Sequence, residues 1–302
     1  MDEAYSPDLL DAPVQNVPGW LRALHKDAQS GLDVLGPDHA AVYLDGNDTL
    51  LVTFSLYVPA LDGPAPFAEA LAAAQGWSRL HLLARRPDWF RAPVIADYLR
   101  AQSDGGFFES FAQVIFAGGG MGGFAACAYA PVCPGAQVVA IAPQATLDPA
   151  IAGWDTRWPA ARRLPFGGRF GFAPSGCDLA EAATVIYDPA QTLDAMHATL
   201  FRRPSVRLLR TPDLGGTTAR VLARLGVLDA ILLASAEGRL DAVALAQACR
   251  ARKSDQVWLT GLAGLALAKG QAARALVVAE RLGAEGKALR VKAKDILRAR
   301  LP

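Results

Sequence analysis

Short apolar runs alternate with longer amphipathic stretches along residues 40–236. Aliphatic and β-branched runs predict strands at Ala41–Leu44, Thr49–Ser55, Arg79–Ala84, Gln113–Ala117, Gln137–Ala142, Thr184–Tyr187 and Val206–Leu209, each bounded by turn-forming residues. Between them, Pro66–Gln75, Pro93–Gln102, Met121–Ala130, Gln191–Phe201 and Thr217–Leu225 carry helical spacing. Runs such as VIFA and VVAIA lack polar alternation, which predicts strands covered on both faces. Strands alternating with helices imply an α/β fold: a mostly parallel sheet, helices on both faces and right-handed crossovers. The Arg-, Gly- and Pro-rich stretch Asp155–Asp178 reads as an excursion over one end of that sheet.

No charged residue lies between Glu109 and Asp148. A membrane span is the first thought, but six glycines and three prolines cut the stretch into pieces too short to cross a bilayer. A buried strand–turn–helix–strand unit accounts for it better.

The chain changes character near Glu237. Residues 237–302 hold 13 Lys and Arg against 6 Asp and Glu, whereas residues 1–236 hold 17 against 23. All prolines but Pro302 precede residue 237, and the remainder is rich in Ala, Leu and Arg, which favours helix. The expected organisation is an α/β domain over 1–236, with a lead-in of about 1–39, and a helical extension over 237–302. Within the extension, Leu259, Leu262, Ala263, Ala266, Gly270, Ala275, Ala279 and Leu282 follow the small/large spacing of a tetratricopeptide-type hairpin turning at Gly270. Four cysteines without a CxxC pair are not a disulfide framework, and the acidic start MDEAYSPDLLDAP lacks a secretory leader. A reduced, cytoplasmic setting is expected.

The run QVIFAGGGMGGFAACAYA is the most informative segment: a strand, a tight glycine turn and a helix. The nucleophile elbow G-x-S-x-G occupies such a turn in α/β-hydrolases. Gly118, Met121, Gly122 and Gly123 match its shape, but Gly120 stands where the serine belongs. With LLVTFS (50–55), DWFRAP (88–93), VVAIAPQATLDP (138–149) and VIYDP (185–189) in the same order, the chain resembles a bacterial α/β-hydrolase-fold group whose elbow reads GSSMGGYAA. The resemblance spans roughly residues 40–235 and is more specific for fold than for reaction. It implies a catalytic acid at Asp188 and a histidine after the last strand, where this chain has Gly216, flanked by Gly215 and Thr217. It therefore implies a degenerate member, with neither attacking hydroxyl nor imidazole. The backbone oxyanion donors it implies, at Met121 and near Leu56, would survive that loss, leaving a pocket able to hold a carbonyl or an anion.

Other residues compete for a chemical role. His197 follows Asp194 at helical spacing, a pattern of packing pairs as much as of catalysis. His25, His39 and His81 have no evident link to the elbow, Thr217 and Thr218 suit a helix cap, and Cys127 suits the core. Cys177 beside Asp178 is the replacement nucleophile to consider, in an acyl or acetyl hydrolase or transferase. The turn Gly118–Gly123 also fits G-x-G-x-x-G, which would make the chain nucleotide-binding, yet no acid closes the next strand before Asp148. No metal-ligand spacing and no cofactor motif occurs. Arg157, Arg162, Arg163 and Arg169 would form either an anion-accepting rim or a solvated loop. The basic end GKALRVKAKDILRARLP could meet RNA, an anionic lipid surface or an acidic partner; it lacks stacking aromatics, which argues against nucleic acid and favours a solvated face balancing the acidic front part. The expectation is a pseudoenzyme that binds a small ligand or a protein partner instead of hydrolysing esters.

Overall fold

A computed structural model of the chain describes residues 31–57, 66–214 and 218–299. Eight strands form one sheet: β1 (Leu32–Val34), β2 (His39–Leu44), β3 (Asn47–Leu56), β4 (Trp77–Ala84), β5 (Gln113–Gly119), β6 (Gln137–Ile141), β7 (Ala182–Tyr187) and β8 (Val206–Arg210). Their spatial order is β1-β2-β4-β3-β5-β6-β7-β8. β1 and β2 are antiparallel, as are β2 and β4; every pair from β4 to β8 is parallel. This is an α/β fold with an α/β-hydrolase-like sheet. Every strand expected from the hydrophobic pattern is present. The unforeseen β1 has three half-buried residues and no alternation to betray it.

Strand parity explains the unbroken apolar runs. Val138 and Ala140 of β6 face one core, with Phe54, Phe116 and Tyr129, while Val139 and Ile141 face the other, with Leu51, Ile115 and Leu232. Successive side chains point to opposite faces, and both faces are covered, so no position is free to be polar. The first face carries α2 (Pro93–Asp104), α3 (Met121–Tyr129) and α4 (Thr192–Leu200). The second carries α1 (Glu69–Ala74), α5 (Thr218–Arg224), α6 (Val227–Ala236) and α7 (Ala242–Ala248). α8 (Gln256–Ala268), α9 (Ala272–Glu280) and α10 (Lys287–Arg298) follow.

α8 and α9 form a helical hairpin. Gly270, at φ +67°, closes α8, and the Gln271 N–H reaches back 2.8 Å to the Ala266 carbonyl. That left-handed cap needs a residue without Cβ. Leu259, Ala263 and Ala279 are buried together, and Ala266 packs with Ala275, where small side chains let the helices approach. No helix among the described residues is long and apolar enough to cross a membrane.

The crossing of α3 over the sheet is the tightest point. A Cβ on Gly122 would lie 2.2 Å from the Phe54 carbonyl oxygen of β3, and one on Gly118 would lie 2.4 Å from Gly122 backbone atoms. Around Gly120 there is nothing within 4 Å of a Cβ, although its φ of +56° is left-handed. Gly122→Ala should therefore destabilise by about 3 kcal/mol or more, because backbone cannot yield. Gly120→Ala should cost only about 1–2 kcal/mol, the conformational term. Urea denaturation of the two variants checks the order; equal losses would show that the crossing is not tight.

Candidate functional site at the carboxyl edge of the sheet

Gly120 caps the amino end of α3 with φ +56° and ψ −119°. Its N–H bonds the Ile141 carbonyl at 2.9 Å, and its carbonyl accepts the Phe124 N–H at 2.9 Å, so the turn is held to β6 on one side and to its helix on the other. A strained strand-to-helix turn of this kind presents its central residue above the sheet. Above it opens a cavity of about 600 Å³.

The cavity walls come from segments leaving the carboxyl ends of the strands, the usual place for ligands in α/β sheets. Leu56 and Phe67 form one side, Trp89 and Trp158 another, and the elbow from Gly119 to Gly122 the floor. Trp89 and Trp158 meet edge to face at 5.2 Å, and the Trp89 Nε1–H donates to Gln144 Oε1 at 3.0 Å. Trp89 at φ +53° and Ala142 at φ +46° both line the cavity in backbone conformations that residues with side chains rarely adopt. Strain collected around one cavity is a mark of functional sites.

One polar wall is an ionic brace in which a part-exposed arginine joins two buried carboxylates. Arg157 Nε and NH2 grip Asp155 at 3.0 and 2.8 Å, and NH1 reaches Asp194 at 2.7 Å. Asp155 also accepts from His197 Nε2 at 2.9 Å. Arg157 and Asp194 face the cavity; Asp155 and His197 stand behind them, fully buried. His197 Nδ1 accepts the Ala145 N–H at 3.1 Å, so the ring proton belongs on Nε2 and the imidazole is neutral. Burial pushes its pKa below the ordinary 6.5, against the pull of Asp155. For Asp155, burial alone would raise the pKa, but the bonds from Arg157 and His197 outweigh it and hold the carboxyl at about 2.

The remaining sequence-derived residues are scattered relative to this cavity. Gly120, Met121, Gly122 and Leu56 line it. Gly118 and Gly123 serve the close crossing of α3. Asp188 is buried just past β7 and does not line the cavity; its Oδ1 accepts the N–H groups of Ala190 at 2.9 Å and Asp213 at 3.1 Å. Gly215, Gly216, Thr217 and His25 lie outside the described residues. Cys177 is fully buried behind α3, away from the cavity, because Gly176 packs directly on the Cys127 carbonyl. A nucleophile at Cys177 has no access to a ligand there. Of the four arginines of the excursion only Arg157 lines the cavity, and two carboxylates neutralise it, so an arginine rim is not formed. No His/Cys/Asp/Glu group among the described residues has the arrangement of a metal site.

A second polar chain escaped the sequence reading. Thr53 Oγ1 and His81 Nδ1 are 2.6 Å apart, His81 Nε2 meets Glu69 Oε2 at 2.7 Å, and Glu69 Oε1 takes a bond from Arg79 at 2.9 Å. Burial would raise the Glu69 pKa, but His81 and Arg79 lower it overall. The order of groups is that of a hydrolytic triad, yet Thr53 is sealed within β3. What the chain does is seat α1, next to Phe67 of the cavity wall, whose N–H donates to Ser55 Oγ at 2.9 Å. Thr53 and His81 are register partners on adjacent strands 28 residues apart, a proximity no local motif signals.

No protein-family model and no curated protein matches the chain. Among solved structures it is similar to the capsule O-acetyltransferase of Neisseria meningitidis serogroup A, with 14% identity over 65% of this chain and 90% of that one at a TM-score of 0.45. It is similar to a bacterial brefeldin A esterase, with 16% identity over 82% and 89% and a TM-score of 0.40. It is also similar to a lidless α/β serine hydrolase from Xanthomonas campestris, with 14% identity over 63% and 86% and a TM-score of 0.38.

The brace makes a pH prediction. A His with a depressed folded pKa supports the fold above about 6.5 and loses that support as pH falls toward its folded value. Asp155 acts in the same direction further down, from about pH 3.9 toward 2. Urea midpoints should therefore fall between pH 7.5 and about 5. His197→Gln should be less stable at pH 7.5 but flatter over the same range. A parallel decline in the variant would remove His197 from the effect.

Proposed function

We propose that this chain is a ligand-binding member of the α/β-hydrolase fold that has given up hydrolysis. One observation carries the reading. Gly120 holds the backbone of an elbow under an open cavity, with space where a side chain would stand, while no histidine lines that cavity among the described residues. The sequence has no histidine after His197, so the loop following β8 supplies none. His39 is bonded to Asp88 at 2.7 Å, and His81 and His197 are committed to the buried chains described above. Without an imidazole to take its proton, a hydroxyl is a poor nucleophile.

What supports binding is the backbone. Met121 opens α3, so its N–H lies among the amides that a helix leaves without an internal partner. The Tyr57 N–H bonds the Ala84 carbonyl of β4, and strand alternation turns the neighbouring Leu56 N–H toward β5 and the elbow. Two amides converging from an elbow and the end of the third strand suit a carbonyl oxygen. The apolar walls suit the acyl or aromatic group attached to it, and Arg157, neutralised by two acids, gives no reason to prefer an anion. A small uncharged ester, thioester or acylated sugar fits these features. Asp188 is then a structural carboxylate that ties the loop after β8 to the end of β7.

The purified protein should hydrolyse p-nitrophenyl acetate and butyrate no faster than buffer. Esters of this size should raise its thermal midpoint, with a stabilisation of about 1.4 kcal/mol at ten times Kd. Met121→Trp, which fills the cavity, should erase that rise. Gly120→Ser with Gly216→His asks whether the scaffold still supports turnover. Saturable hydrolysis by the native chain that disappears in Met121→Trp would overturn the non-hydrolytic reading.

A further inference from the structure

The helix α5 is gripped at both ends. Its first residues, Thr218, Ala219 and Arg220, form part of the cavity wall. Ala219 lies so close to the elbow that a Cβ on Gly119 would come within 2.5 Å of the alanine methyl. At the other end, Arg224 forms an ion pair with Asp255, whose Oδ1 caps α8 by accepting the Trp258 N–H at 2.6 Å. The segment leading into α5 is held by the same helices. The Trp258 Nε1–H donates to the Asp213 carbonyl at 2.7 Å, and Arg252 donates to the Pro212 carbonyl at 2.8 Å while its guanidinium lies 5.1 Å from the Trp258 ring centre. Asp213 sits at φ +62°, a conformation that must be maintained from outside.

We propose that the helical end of the chain sets the shape of the cavity, with α5 as the strut between them. Trp258, Arg252 and Asp255 are positioning residues for the wall formed by Thr218–Arg220. A seven-residue helix is too short to hold itself in water, so its place is decided by what it touches. The half-exposed Arg224–Asp255 pair is weak alone. The Trp258 bond to the Asp213 carbonyl does more, because that part-buried oxygen has fewer other partners. Thermodynamic reciprocity follows: a molecule wedged between the elbow and α5 tightens the docking of α8, and loosening α8 weakens that molecule's hold. The coupling rests on the geometry of the wall, not on what the cavity holds, so its failure would leave the proposed function standing.

Amide hydrogen exchange on the full chain, read by mass spectrometry, tests the coupling without a ligand. Trp258→Phe keeps the ring beneath Arg252 and removes one donor. Asp255→Asn keeps a capping oxygen and removes the partner of Arg224. Together they should speed exchange by about ten-fold or more in peptides covering 218–225 and the elbow at 116–124, while 39–44 and 77–84 stay unchanged. Asp241→Ala is the control: it removes the cap of α7, a 2.7 Å bond to the Ala244 N–H, without touching α5. It should loosen α7 alone. Acceleration confined to 211–214 and the helices beyond 237 would overturn the proposal. So would an elbow that loosens as much in Asp241→Ala as in the double variant. Should the double variant not fold, Trp258→Phe alone carries the same comparison.

Discussion

The site depends on how closely α3 is allowed to approach β3. The Gly122 Cα lies over the Phe54 carbonyl, and the chain of Gly118 passes against Gly122, so the strand must turn sharply into the helix. That turn throws Gly120 into a left-handed conformation, raises the amino end of α3 above the sheet and opens space over it. The glycines on either side therefore serve the architecture. The one at the centre is different: nothing crowds its missing side chain, and a serine there would need only to bear the conformational cost. The turn has room for a side chain at its centre, where this chain has glycine.

Around that turn, charge is arranged for rigidity. Arg157 joins two carboxylates from different segments, the excursion and α4, and Asp155 passes the constraint on to His197 beneath. A buried carboxylate is costly unless its oxygens are met, and those of Asp155 are met by Arg157, a backbone N–H and the His197 imidazole. Of the three histidines buried among the described residues, His197 and His81 differ in one instructive respect. His197 faces a backbone N–H, which fixes its tautomer and forbids a second ring proton. His81 faces a hydroxyl that can turn either way. Only the first is locked, and it braces the wall formed by Arg157 and Asp194.

The residues that follow β8 are tied both to the end of β7 and to the helical end of the chain. Asp188 accepts the amide N–H of Asp213, and the carbonyls of Pro212 and Asp213 are bonded by α8 and the turn before it.

The sheet, its strands and the two-faced burial were legible in the chain because they follow from local pattern: VIFA and VVAIA, short and bounded by turn residues, read as strands buried on both sides. The glycine turn was legible for the same reason, since strand, turn and helix are adjacent in sequence. The cavity walls were not. Trp89, Gln144, Arg157 and Asp194 lie on four separate segments, and His81 meets Thr53 only because two strands align in register. Cys177 looked reactive beside Asp178, yet packing buries it. Local pattern decides which backbone forms; which side chains share a space is decided by crossovers and close approaches between distant segments, and those exist only once the chain has folded.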